Sequence, residues 1–190
     1  MKYLFPLFLI LTMGCSKGIS YRQFLVWYES DKNPLRKKQV IGDIEYTCTY
    51  MTTDYFKARD IAAGSNEEDK SPDESEYYKV NIKIKDGIEP LTYHAKDKTE
   101  SFERINYLVS GVNDDILLIS GAGDTLSCQL HHYERVYHVG NTLSVLFIFD
   151  KTKEEATEKS IVFYDRLFGN GLLTFTFSKE ETENIPKLKN

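Results

Sequence analysis

Residues 78–85 alternate strictly between apolar side chains and charged or amide side chains. After Tyr78 the apolar positions are Val80, Ile82 and Ile84, and the lysines between and after them are Lys79, Lys83 and Lys85. This period of two predicts a strand with one buried face and one solvated face. The lysines indicate a solvated sheet face, for example that of an edge strand on which charge opposes pairing with other chains.

Seven other segments have the apolar and β-branched composition of strands. They are residues 39–41, 44–51, 116–119, 126–137, 142–149, 160–165 and 172–177. Gly42-Asp43 and Asn170-Gly171 have the composition of tight hairpin turns, and the second is typical of a type I′ turn. Because the connections between consecutive segments are short, we expect an antiparallel meander.

Helical segments interrupt and follow this pattern. Thr53 is typical of the N-cap of a helix, here one that continues to about residue 63. Asp97 and Glu100 have the spacing of a capping box, and Ser178 and Glu181 repeat it before a short helix near the end of the sequence. The helix after Asp97 would present on one side the apolar residues Phe102, Ile105, Leu108 and Val109.

These patterns predict an α+β fold in a single domain over residues 24–190. An antiparallel sheet or sandwich dominates this domain, with about two helices packed against it. Residues 24–28, with the sequence FLVWY, would be its first ordered segment.

A separate pattern occupies the first fifteen residues. Lys2 supplies a positive charge, residues 3–13 form an apolar run too short to span a bilayer, and Gly14-Cys15 closes the run. This resembles the signal of a bacterial lipoprotein precursor. The resemblance implies cleavage of residues 1–14 and a lipid on the Cys15 thiol. The alternatives are an ordinary secretory signal and a buried first strand.

The resemblance also implies a location. Residues 15–23 would be the lipidated cysteine and a tether, and the lipid would attach the protein to a membrane of the bacterial envelope. In this class, an aspartate after the cysteine often retains the protein at the inner membrane, and an acidic stretch often directs export in some phyla. Ser16-Lys17-Gly18 matches neither pattern. We therefore expect the periplasmic face of the outer membrane.

Residues 65–76 (SNEEDKSPDESE) contain six acidic residues and no large apolar one. Such a segment has little to bury, so we predict an exposed acidic loop. It lacks the alternating ligands and central glycine of an EF-hand, and Pro72 interrupts it, which argues against a calcium site.

The overall charge is mildly acidic. The chain of 190 residues has 24 Lys and Arg against 29 Asp and Glu, a formal net charge of -5. Binding of nucleic acid depends mainly on neutralised phosphates, so a chain without a basic stripe is not expected to bind it.

Two cysteines remain beside Cys15. Cys48 and Cys128 each alternate with apolar neighbours and would point into a core. In an oxidising compartment they can form one disulfide, which would stabilise the fold by about 2 to 4 kcal/mol. The alternative is two buried free thiols.

No catalytic signature emerges. The sequence has no phosphate-binding loop, nucleophile elbow or paired-cysteine motif. His131 and His132 would point to opposite faces of a strand, and His138 would lie far from both, so we predict no metal site. We likewise predict no catalytic residue and no cofactor.

Aromatic residues make up 13% of the chain. Trp27, Tyr28, Tyr133 and Tyr137 are candidates for a surface that binds a partner or ligand, although packing in a sheet is the alternative for such residues. The sequence thus favours a lipid-anchored, non-enzymatic binding or assembly component for another envelope protein. A lipoprotein that binds a carbohydrate or small ligand, and an unrecognised hydrolase, are the alternatives.

Overall fold

The computed structural model describes residues 18–65, 75–121, 123–134, 141–152 and 158–189. In this part of the chain nine strands form two antiparallel sheets. The first has the order β1 (Arg36–Ile41), β2 (Ile44–Met51), β3 (Ser75–Ile84), β7 (Thr142–Asp150), β6 (Leu130–Glu134). The second has the order β5 (Thr125–Ser127), β4 (Ile116–Ser120), β8 (Glu158–Asp165), β9 (Gly171–Ser178).

The two sheets pack face to face, because alternate residues of the strands are apolar and meet in one core. Aromatic rings from the two sheets lie close together: the Phe147 and Phe163 ring centroids are 6.5 Å apart, and those of Tyr78 and Phe177 are 5.6 Å apart. The predicted α+β fold dominated by an antiparallel sandwich is confirmed.

Strand β3 is central rather than an edge strand. It pairs with β2 on one side and β7 on the other. Val80, Ile82 and Ile84 are buried as predicted, but the lysine face does not protect an edge. Lys79 instead forms an ion pair with Glu134, with 2.6 Å between Nζ and Oε2.

The predicted strand over residues 126–137 is two strands in different sheets. β5 belongs to the second sheet and β6 to the first, and the chain crosses between them at Cys128 and Gln129. Residues 135–137 lie outside the described part of the chain. The predicted meander is therefore wrong: β3 pairs with β7, and β4 pairs with β8.

Helices α1 (Tyr21–Glu29) and α2 (Thr53–Ala62) cover part of the outer face of the first sheet. Ser20 caps α1, and Thr52, one residue before the predicted position, caps α2. A second core forms beneath them from Phe24, Tyr28, Leu35, Met51, Phe56, Ala58 and Tyr77. Residues 24–28 are thus part of a helix.

Two further helices begin at the predicted caps. The Asp97 side chain accepts a hydrogen bond at the start of α3 (Lys98–Ser110), and Ser178 and Glu181 form the capping box of α4 (Lys179–Glu183). The predicted apolar side of α3 is only partly right, because Leu108 is buried whereas Phe102 and Val109 are exposed.

Two predicted boundaries differ from the structure. The fold includes Gly18 to Gln23, which the sequence analysis assigned to the tether, since Ile19 bridges to Leu188. The predicted acidic loop ends earlier than expected, because Ser75 and Glu76 belong to β3 and Glu76 is only 2% exposed. Residues 1–17, with Cys15, and residues 66–74 lie outside the described part of the chain.

Cys48 and Cys128 are both free and buried. Cys48 pairs with Val80 of β3, whereas the Cys128 Sγ lies 3.6 Å from the carbonyl oxygen of Ile148 on β7. Two strand spacings, about 10 Å, separate β2 from β7. This exceeds the Cα separation of about 7 Å that a disulfide tolerates, so the structure fits the alternative of two buried free thiols.

Candidate functional site

The outer face of the second sheet carries almost no charge. The alternation that buries Leu118, Phe163 and Phe175 turns every other residue outward. The outward residues are Leu117, Ile119, Thr125, Ser127, Ser160, Val162, Tyr164, Leu172, Thr174 and Thr176. We call these residues the uncharged face.

The apolar members of the uncharged face lie side by side. Tyr164 pairs with Leu172 across β8 and β9, and the two side chains are 45% and 70% exposed. Ser160 and Thr176 bond to each other, with 2.8 Å between their hydroxyl oxygens. Among the described strand residues pointing outward here, the first charged one is Glu158, at the beginning of β8.

The outer face of the first sheet differs. Helices α1 and α2 cover one part of it, and the uncovered part carries charges. There Lys38 pairs with Glu45, and Lys79 pairs with Glu134. Solvated sheet faces are expected to carry such residues, so the uncharged face is the exception within this molecule.

A cleft of about 580 Å³ lies at one end of the sandwich. Its walls come from the β1–β2 turn, the segment before α3, α3 itself and the β8–β9 loop. Tyr93, His94, Arg166 and Phe168 are among the side chains that line it. His94 has a φ of 52°, an uncommon conformation for a residue other than glycine.

A buried carboxylate fixes the β8–β9 wall of the cleft. Asp165 is fully buried, and its Oδ1 accepts hydrogen bonds from the backbone N–H groups of Leu167 and Phe168 at 3.1 Å. Its Oδ2 accepts from the Tyr46 hydroxyl at 2.6 Å and from the Asn170 N–H at 3.2 Å. Burial and this carboxylate raise the pKa of Tyr46 above its ordinary value.

This arrangement corrects the predicted hairpin at Asn170-Gly171. The connection between Asp165 and Gly171 has five residues, and Gly169 and Gly171, not Asn170, have a positive φ. Asn170 instead donates its side-chain amide to the Tyr46 hydroxyl at 2.7 Å. The turn is therefore not a two-residue type I′ turn.

The charged side chains near the cleft are largely engaged within the protein. Arg104 is 8% exposed and donates to the Tyr93 carbonyl at 2.8 Å and to Glu100 at 3.0 Å. The Lys96 N–H and the Arg104 guanidinium lower the pKa of Glu100. Arg166 Nε lies 2.8 Å from Asp115, whose carboxylate also accepts from the Tyr107 hydroxyl. These bonds hold the segments around the cleft in place.

The aromatic residues that the sequence nominated do not form one surface. Tyr28 is buried, and its hydroxyl donates to the Tyr50 carbonyl at 2.5 Å. Trp27 packs with the helices, whereas Tyr133 packs with the core between the sheets. Tyr137 lies outside the described residues. The first sheet therefore separates Trp27 from Tyr133, and the prediction that these residues share a surface is wrong.

The structure does not group the histidines into a metal-binding site within the described residues. His131 and His132 occupy adjacent positions of β6, and the His131 Nε2 lies 3.0 Å from the Val109 carbonyl oxygen. His138 lies outside the described residues. In the described ranges no three His, Cys, Asp or Glu side chains are grouped closely enough to hold a metal ion.

Comparison with known proteins finds no family model, no curated protein and no solved structure that matches the chain. None of the described helices is long and apolar enough to cross a membrane.

Proposed function

We propose that this protein is a lipid-anchored, non-enzymatic component of the bacterial envelope that docks another envelope protein through the uncharged face. The observation that carries the proposal is the contrast between the two outer sheet faces. Among the residues that the structure describes, helices cover or charges line the outer face of the first sheet, whereas the outer face of the second sheet has neither.

Physical chemistry supports a contact role for such a face. The centres of protein interfaces are depleted of charge and enriched in aromatic residues, because desolvating an ion costs more than desolvating an aliphatic group. Tyr164 and Leu172 supply exposed apolar area at the end of the face nearest the cleft. The surrounding threonine hydroxyls can pair with polar groups of a partner without requiring an ion to be buried.

The resemblance of residues 1–15 to a lipoprotein signal supports the anchor. A lipid on Cys15 would hold the domain at the membrane, and Ser16-Lys17 supports the periplasmic face of the outer membrane. This location would restrict the partner to proteins exposed in the same compartment.

A second candidate function is the binding of a glycan or small ligand in the end cleft. The specific observation in its favour is the pair of partly exposed rings, Tyr93 and Phe168, with centroids 6.1 Å apart. Aromatic faces and a few polar groups are typical of ligand sites. A hydrolase is less well supported, because Asp165 and Asp115 are already bonded within the protein.

The test compares two lysine substitutions at exposed apolar strand residues. Leu172→Lys lies on the uncharged face, whereas Val40→Lys, at a residue 59% exposed on the outer side of β1, is the matched control. We expect the wild type and Val40→Lys to copurify the same envelope protein in mild detergent. Leu172→Lys should retain the fold and weaken this association by about 10-fold or more.

Equal copurification by both lysine variants would contradict docking through this face. Binding of a soluble glycan that is lost in Tyr93→Ala, together with no partner in the pull-down, would favour the second candidate.

A further inference from the structure

We propose that the end of the sandwich at Gly18 is a membrane-contact surface that holds acidic lipid headgroups through Arg22, Lys187 and Lys189. We call these three residues, with Gly18, the anchor end. The inference rests on the lipidation of Cys15 that forms part of the proposed function. It adds a second membrane contact and a fixed orientation of the domain.

Gly18 is fixed to the body of the protein. The Ile19 N–H donates to the Lys187 carbonyl at 2.9 Å, and the Lys189 N–H donates to the Ile19 carbonyl at 2.8 Å. A Cβ atom on Gly18 would lie 2.9 Å from the Lys187 carbonyl oxygen, so this close approach requires glycine. The side chains of Ile19 and Leu188 pack against the core beneath α1 and α2.

The connection from Gly18 to the lipid is short. Only Ser16 and Lys17 separate Cys15 from Gly18 in the sequence. Three Cα steps span at most about 11 Å. A strand of eight residues such as β2 is about 26 Å long, so the connection is less than half the length of the sandwich. The domain therefore cannot turn end over end while Cys15 stays in the membrane.

The anchor end lies opposite the cleft. Leu188 and Ile19 pack against the core that contains Met51, the last residue of β2, whereas Ile44, the first residue of β2, lines the cleft. Strand β9 likewise begins at the cleft end and is followed at its far end by α4. A membrane at the anchor end would leave the cleft about one strand length away, open to the periplasm.

Charge favours an acidic membrane surface. Arg22, Lys187 and Lys189 are exposed. On the adjoining helix α4, Glu181 pairs with Lys37 and Glu183 pairs with Lys179. Glu180 adds a further negative charge, which the three basic side chains outnumber. Each lysine or arginine near an anionic bilayer strengthens attraction about 5-fold, so the three together amount to roughly 100-fold.

The test places a fluorophore at either end of the lipidated protein. Asn184→Cys, next to the anchor end, and Lys85→Cys, next to the cleft end, are both exposed and can be labelled selectively because Cys48 and Cys128 are buried. The labelled proteins are reconstituted in vesicles of phosphatidylethanolamine and phosphatidylglycerol that contain a headgroup quencher. We expect quenching at residue 184 to exceed quenching at residue 85 several-fold, and equal quenching would overturn the orientation.

A charge-deleted variant tests the headgroup contact. The triple variant Arg22→Gln, Lys187→Gln, Lys189→Gln is compared with a matched triple variant of Lys83, Lys85 and Lys96, exposed lysines near the other end. Phosphatidylglycerol should increase quenching at residue 184 over that in phosphatidylcholine vesicles, and only the first triple variant should lose this increase. If the first triple variant kept this increase in quenching, the proposed role of Arg22, Lys187 and Lys189 would be overturned.

Sedimentation with the vesicles separates the two proposals. A protein that sediments but shows equal quenching at both labels contradicts the inference alone. A protein that carries no lipid and does not sediment contradicts both the anchor and the inference.

Discussion

Asp165 is the residue on which the cleft end of the sandwich depends most. Four donors from Tyr46, Leu167, Phe168 and Asn170 converge on its two oxygens, and the carboxylate is fully buried. A buried ion is tolerated only when such bonds replace its hydration. The β8–β9 loop and β2 are therefore connected through one side chain.

Asp165→Asn should destabilise the protein by about 2 to 4 kcal/mol, because the amide –NH₂ would face donors and leave them unpaired. Urea unfolding measures the change. Asp150→Asn, at an exposed carboxylate at the end of β7, is the control and should have little effect. Equal unfolding midpoints for the wild type and Asp165→Asn would show that the network contributes nothing.

The two buried thiols should be unreactive in the folded protein. Burial raises the pKa of both Cys48 and Cys128, so little thiolate forms at neutral pH. Without reductant, a thiol reagent should modify neither residue before unfolding and both residues after it. Failure to find thiols in the unfolded chain would indicate that a disulfide exists after all.

At the scale of elements, α3 illustrates how tertiary contacts select one side of a helix. Spacing correctly identified Leu108 but also nominated Phe102 and Val109, which are exposed. The buried position between them is Arg104, whose guanidinium binds carbonyls of residues 90, 91 and 93 and lies over Phe168. The helical period of apolar residues cannot reveal that backbone carbonyls in the segment before α3 need a hydrogen-bond donor from this helix.

Leu108→Ala should therefore cost about 2 to 5 kcal/mol of stability, whereas Phe102→Ala on the same helix should change it by about 0.5 kcal/mol or less. Chemical unfolding of the two variants checks this difference. A larger loss for Phe102→Ala would mean that α3 packs through the side that the sequence suggested.

The strands also show that local sequence patterns do not predict contacts between distant segments. Alternation in β3 and the caps of α3 and α4 are local properties, and the sequence predicted them. The crossing at Cys128 and the pairing of β3 with β7 depend on contacts between distant segments, which no local pattern contains. The connection before Gly171 has five residues instead of the predicted tight turn. The Asp165 carboxylate stabilises this longer loop by accepting hydrogen bonds from its backbone N–H groups.

At the scale of the molecule, buried tyrosines make the fold sensitive to alkali. Burial, with the nearby Glu76 carboxylate, raises the pKa of Tyr50 to about 12, and burial also raises the pKa of Tyr28, Tyr46 and Tyr78. The tyrosine side chains of the unfolded chain ionise near pH 10. The stability that the buried tyrosines contribute is therefore fully present below about pH 10 and falls as the pH rises above it.

An alkaline titration should therefore show that the buried tyrosines ionise late. Tyr28, Tyr46, Tyr50 and Tyr78 should ionise only as the circular dichroism signal of the native structure is lost. Ionisation of these four tyrosines near pH 10 in a protein that stays folded would contradict the described cores.

The candidate sites differ in how far the sequence could predict them. The uncharged face is visible in alternate positions of β8 and β9, once the inward residues are known. The end cleft is not, because it joins residues near positions 43, 93, 104 and 168 that only the folded sandwich brings together. The predicted aromatic binding surface was wrong because amino-acid composition does not distinguish an aromatic ring on the surface from a buried one.

The central claim is that the uncharged face contacts another envelope protein in the cell. A photo-crosslinking amino acid at position 172, and in a separate strain at position 40, tests it most directly. We predict a discrete adduct with a different protein from position 172 and none from position 40. The same products from both positions, no adduct from position 172, or an adduct only with a second copy of this chain would contradict the account.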